Sequence, residues 1–220
     1  MDKNDNNNDA LNNRIHTTTN TYWKNLSDFI GTVCDIVDEV KEDNLTELDI
    51  NVDYINIGKK LVIGCNYNIY NEKLDESKPE NESEYKQLFI RKFIISSYNY
   101  WDMILSRNNE FFLEHSSSLF SYFGDSASKM FKVLLGKDKN GDPVLDPDDV
   151  SLLWEYIESF IRYSVIFIHY KRMPRIKDGR GIYKKRYLSK DDTENEIIRD
   201  INVNIKKYKN LMKINLDYDL

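Results

Sequence analysis

DPDDVSLLWEYIESFIRYSVIFIHYKRMPR, residues 146–175, is the stretch from which the fold can be read. Asp146 is a good N-cap, Pro147 suits the first helical position, and Asp148 and Asp149 face the positive end of a helix dipole. Leu152, Leu153, Trp154, Ile157, Phe160, Ile161, Val165, Phe167 and Ile168 then cover most of a helical circumference, the pattern of a central, buried helix. Lys171 and Arg172 stand at its negative end and Pro174 stops it. The pattern therefore predicts a helix over 147–172.

Upstream, Tyr22, Leu26, Phe29, Ile30, Val33, Val37 and Val40 recur at helical spacing and predict an amphipathic helix over 20–42. Residues 1–19 are polar and nearly free of large apolar side chains, which assigns them to a disordered tail. At 47–70 the period changes. Two alternating runs flank Gly58-Lys59-Lys60 and read as a β-hairpin, with a helix through Tyr54, Ile57, Leu61 and Cys65 as the alternative. An acidic linker, 72–84, leads into a mostly apolar helix expected over 84–107. A helix capped by Asn108 or Asn109 and ended by Gly124 follows, then a short one from Asp125 to Leu135.

Downstream, Ile198, Ile201, Ile205, Tyr208 and Met212 mark a narrow stripe on a last helix over 190–213. Ser189 and Asp192 resemble a capping box at its start. Ile214, Leu216, Tyr218 and Leu220 alternate in the tail 214–220, which fits a short strand. The fold class read from these signals is mainly α, or α+β if the hairpin forms. Five or six helices are expected around the 147–172 helix, in one globular domain over 20–213.

Between the two C-terminal helices the charge reverses. The tract 171–190 holds nine Lys or Arg against one acid, Asp178, so it carries about +8. The whole chain carries −6, which leaves about −14 for everything else. Such a local imbalance speaks to partners and association, not to fold. Once Lys171 and Arg172 are assigned to the helix end, the candidate anion-binding residues are Arg175, Lys177, Arg180, Lys184, Lys185 and Arg186, with Tyr183 and Tyr187 interleaved. Cations neutralise phosphates or carboxylates, and tyrosines stack on unpaired bases. The competing account is a solvated loop paired with acids elsewhere on the chain.

Motifs for chemistry fail on their spacing. Aligning Gly141 of Asp138-Lys139-Asn140-Gly141-Asp142 with the glycine of a calcium loop puts Gly136 and Pro147 at two ligand positions, so a surface turn is the better account. His16 falls in the tail read as disordered, His115 and His169 lack metal-ligand spacing, and Glu114-His115-Ser116 is no Ser–His dyad because adjacent helical residues diverge. Gly58-Lys59 and Gly136-Lys137 lack the rest of a phosphate-binding loop. No catalytic, cofactor-binding or metal-binding residue is assigned, and no cofactor is expected.

Cys34 and Cys65 are too few for a disulfide framework and fall on apolar faces, as buried thiols do. No apolar run of about eighteen residues argues for a membrane span or membrane partner, and no signal peptide is visible. An intracellular, reducing location is expected, cytoplasm or virion. Two Ala among abundant Asn, Ile, Lys and Tyr point to AT-biased coding, as in a large DNA virus or an AT-rich protist. The leading expectation is a non-enzymatic structural or interaction protein of an intracellular assembly, with a protein partner or a second copy bound through 175–190. The alternative is a nucleic-acid-binding accessory protein using 171–190, and the third reading is an enzyme without a local signature.

Overall fold

The computed structural model describes residues 3–42, 82–108, 111, 114–115, 134–137, 140–172 and 192–214. Its helices are α1 (Lys3–Glu42), α2 (Glu82–Ser97), a 3-10 turn (Tyr98–Tyr100), α3 (Trp101–Leu105), α4 (Pro147–Arg172), α5 (Asp192–Val203) and α6 (Ile205–Leu211). The described part is mainly α and contains no strand; Lys137 and Pro143 form an isolated bridge. No described helix is long and apolar enough to cross a membrane.

Asp146 caps α4 as its sequence demands. One carboxylate oxygen accepts the backbone N–H of Asp148 at 2.8 Å and that of Asp149 at 2.9 Å, and the Asp146 carbonyl accepts Val150 N–H at 3.1 Å. These bonds satisfy donors that a helix start otherwise leaves orphaned, a contribution of about 1 kcal/mol. The crowding of acids has a cost. Burial, then repulsion from Asp146 and Asp148, raises the Asp149 carboxyl above its ordinary value. The preceding turn closes through Val144 N–H to the Gly136 carbonyl at 3.2 Å, and Gly141 takes φ +89, which a side chain would resist.

Every other described α-helix packs against α4. Cross-contacts order the main seam: Arg14 meets Tyr170, Asn25 meets Ser159 and Thr32 meets Tyr156. Rising numbers on α1 against falling numbers on α4 make the pair antiparallel. Its centre is aromatic. The Phe160 ring lies 5.3 Å from Tyr22, 5.5 Å from Phe29 and 5.7 Å from Phe93 of α2, measured between centroids. The interplanar angles of 48° to 90° are tilted or edge-on, the geometry that adds about 0.5–1.5 kcal/mol per pair beyond area burial. Trp23 fastens the α1–α2 seam against Tyr85 and Phe89.

The polar N-terminal residues depart from the sequence reading. Residues 3–19 are the first turns of α1 and not a disordered tail. Leu11, Ile15, Thr18, Thr19, Tyr22 and Leu26 form one continuous buried face. Thr18 and Thr19 bury without penalty because their hydroxyls donate to the carbonyls of Arg14 (2.8 Å) and Ile15 (2.7 Å). Composition counts those threonines as polar; helical geometry makes them core.

Two further boundaries move for a related reason. The helix expected over 84–107 tightens into a 3-10 turn at Tyr98–Tyr100. Buried Ser97 donates its hydroxyl to the Phe93 carbonyl at 2.6 Å and accepts Trp101 Nε1–H at 2.9 Å. That back-bonding competes with the backbone ladder and tucks Trp101 fully into the core. The last helix, expected unbroken over 190–213, divides at Asn204, whose side-chain amide donates to the Asp200 carbonyl at 3.1 Å. The hairpin at 47–70, most of the linker 72–84, most of the helices expected over 109–135, the tract 173–191 and the tail 215–220 lie outside the described residues.

Candidate functional site

Arg175, Lys177, Arg180, Tyr183, Lys184, Lys185, Arg186 and Tyr187 all lie outside the described residues, so the structure speaks to the two ends of the basic tract. At the first end, Tyr170 is buried and its hydroxyl accepts Arg14 Nη1–H at 3.2 Å. The Arg14 guanidinium also lies 5.6 Å from the Tyr170 ring centroid. Lys171 Nζ lies 5.6 Å from the Phe167 ring. Tyr170 is therefore tied to α1 and Lys171 folds onto its own helix, where a cation complements the negative dipole end. At the second end, α5 opens at Asp192 and packs on α4, with Ile198 and Ile201 buried. Both ends of the tract are thus held by helices of one core.

A second cationic region escaped the sequence reading. From Ile201 to Lys213 the chain holds four lysines, Lys206, Lys207, Lys209 and Lys213, and no acid. Reading only the apolar stripe of this segment hid that signal. Lys207 is committed, with Nζ 2.7 and 2.6 Å from the two Asp102 carboxylate oxygens, and this hydrogen bond raises the lysine above its ordinary value. Alongside, the Tyr98 hydroxyl donates to Asp200 at 2.5 Å. Burial, then that bond, raises the Tyr98 phenol, and burial raises the Tyr208 phenol.

Both α3 and α6 end in left-handed residues that are not glycine. Arg107 has φ 51 and Lys213 has φ 52. Each is the pivot of a Schellman motif. Arg107 N–H donates to Ile104 and Asn108 N–H to Met103; Lys213 N–H donates to Asn210 and Ile214 N–H to Lys209. A non-glycine residue in this region costs roughly 1–2 kcal/mol. At Arg107 the offset is visible. Its Nε and Nη2 donate to the two Glu158 oxygens at 2.8 and 3.1 Å, and Nη1 donates to Ser151 Oγ at 3.2 Å. Lys213 makes no ion pair or side-chain hydrogen bond among the described residues.

These helix ends border a half-open cleft of about 370 Å³. Leu105 of α3 forms one wall; Leu211, Met212 and Lys213 form another. Between them α4 presents Glu155, Glu158, Ser159 and Arg162. Arg162 Nη2 donates to the Met212 carbonyl at 2.5 Å and so pins the end of α6 to α4.

The histidines stand apart. His16 faces Asn20 at 2.9 Å on the exposed side of α1, His115 stacks on Tyr100, and His169 contacts Tyr170. Among the described residues no group of three His, Cys, Asp or Glu could hold a metal ion. Cys34 is buried. No protein-family model, curated protein or solved structure matches this chain.

Proposed function

We propose that the chain is a non-enzymatic interaction protein of an intracellular assembly, and that the tract 175–190 holds an acidic protein partner. The observation that carries this reading is the +8 charge of 171–190 on a chain of net −6, strung between two helices packed on one core. A fixed pair of ends limits the tract's reach and reduces the ordering entropy that binding must offset. The acidic remainder of the chain opposes a polyphosphate, with a charge on every nucleotide, more strongly than it opposes a protein whose acids are more widely spaced. A second copy of this chain meets the same description of an acidic protein. Tyr183 and Tyr187, interleaved with cations, support the second reading, a single-stranded nucleic acid.

The test compares the full chain with its Lys184→Glu, Lys185→Glu, Arg186→Glu variant. Binding to fluorescent poly-L-glutamate and to a labelled 30-nucleotide single strand is measured at two salt concentrations, with light scattering for self-association. The expected result is salt-sensitive glutamate binding or a dimer that the variant loses, with unchanged thermal stability. Tighter binding of the single strand would replace this reading with the second. Equal behaviour of wild type and variant on every probe would end both.

A further inference from the structure

We propose that the cleft between α3, α4 and the end of α6 binds an acidic peptide, with a carboxylate between Arg162 and Lys213 and a neighbouring apolar side chain on Leu105 and Leu211. The inference stands on this cleft alone and does not depend on the basic tract.

Its starting point is a missing partner. On α4, Glu158 and Arg162 are four residues apart, in the orientation that ordinarily forms a helix-surface ion pair. Here both Glu158 oxygens accept from Arg107 instead. Arg162 is left half-buried, with one of its five N–H donors on the Met212 carbonyl and no carboxylate among the described residues. Lys213 lines the same cleft and likewise has no carboxylate. Two cations line the cleft without an ion-pair partner among the described residues, since Glu158 is committed to Arg107 and only Glu155 is left to offset them. One of the two occupies a backbone conformation that glycine would hold with less strain.

The rest of the lining selects the ligand. Leu211 is 58 % exposed at the rim, an apolar surface that a side chain would cover. The volume of about 370 Å³ falls in the range of small-ligand sites, roughly 300–1,000 Å³. Glu155 and Glu158 stand in the cleft beside the cations. They disfavour a doubly charged phosphate, whereas a single carboxylate is tolerated and a peptide N–H can donate to Glu155.

The probe is an acetylated, amidated tetrapeptide of alternating leucine and aspartate, titrated into the full-length ¹⁵N-labelled chain and followed by amide shifts. Shifts at Ser159, Arg162 and Lys213 are expected, with binding about tenfold weaker when asparagine replaces aspartate in the peptide, the worth of one charge-assisted hydrogen bond. Lys213→Gly should raise the melting temperature yet weaken the peptide by a similar factor, a split that a purely structural lysine does not produce. Unmoved amides at millimolar peptide, equal binding of the asparagine peptide, or full affinity in Lys213→Gly would each overturn the proposal. Shifts confined to 175–190 would also overturn it and leave the proposed function standing.

Discussion

The α1–α4 seam and the α3–α6 corner are held by different physics. At the centre of the seam, Phe160, Phe29, Tyr22 and Phe93 of α2 are each at most 2 % exposed and meet ring against ring, while the cation Arg14, on Tyr170, lies at its end. At the corner, exposed or half-exposed ions tie helix ends together: Arg107 to Glu158 and Lys207 to Asp102. Dry aromatic packing leaves no room for a partner and contributes most of the stability. Solvent-exposed pairs are worth about 0–1 kcal/mol each, so the corner is positioned rather than locked. The difference separates what holds this chain together from where it has freedom to bind.

The strongest way to break that contrast is Phe160→Ala. Loss of a ring that meets three others should cost about 3–5 kcal/mol in chemical denaturation, through lost transfer energy and the cavity left behind. A cost below about 1 kcal/mol, on the scale of a surface pair, would erase the distinction.

Alkaline pH should sharpen it by loosening the corner selectively. Tyr98, Tyr208 and Lys207 all hold their protons more tightly when folded than their ordinary values allow. For groups raised on folding, the stabilisation is complete below the unfolded values, about 10 for Tyr and 10.4 for Lys, and is lost as pH rises through the folded ones. Denaturation midpoints should therefore change little from these groups between pH 7 and 9 and fall above pH 10. Hydrogen exchange should report α6 opening before the α1–α4 seam. Simultaneous opening of both regions would contradict the contrast.

The smallest effect distinguishes the two left-handed residues. Lys213→Gly relieves backbone strain against a larger entropy loss on folding, a net gain of about 0.5–1 kcal/mol. For a chain of this size that raises the melting temperature by roughly 1–4 °C. Arg107→Gly gains the same relief but forfeits the fork to Glu158 and the bond to Ser151, so no net rise is expected. Equal rises in both would mean that the fork contributes nothing.

Much of the seam was legible beforehand. Asp146-Pro147 marked the start of α4 at Pro147, and apolar spacing marked α1 from Tyr22 onward. The first turns of α1 were not legible, because Thr18 and Thr19 enter the core only once their hydroxyls find helix carbonyls. The breaks at Ser97 and Asn204 were hidden for the same reason: a side chain competing with the ladder leaves no trace in hydrophobic periodicity. The lysines of α6 were present as composition. The placing of Lys213, just beyond that helix, in one cleft with Arg162 was not, since Leu105, Arg162 and Lys213 stand far apart in the chain.

By itself the sequence determined the helical class, the boundaries of α4 and the charge reversal at 171–190, since capping, periodicity and charge are local properties written in order along the chain. Only the tertiary structure decided that Glu158 pairs with Arg107 rather than Arg162, that Tyr170 is tied to Arg14, and that a cleft opens between three helices. Those outcomes depend on which of several compatible partners reaches a group first in space, and packing, not local propensity, settles that competition.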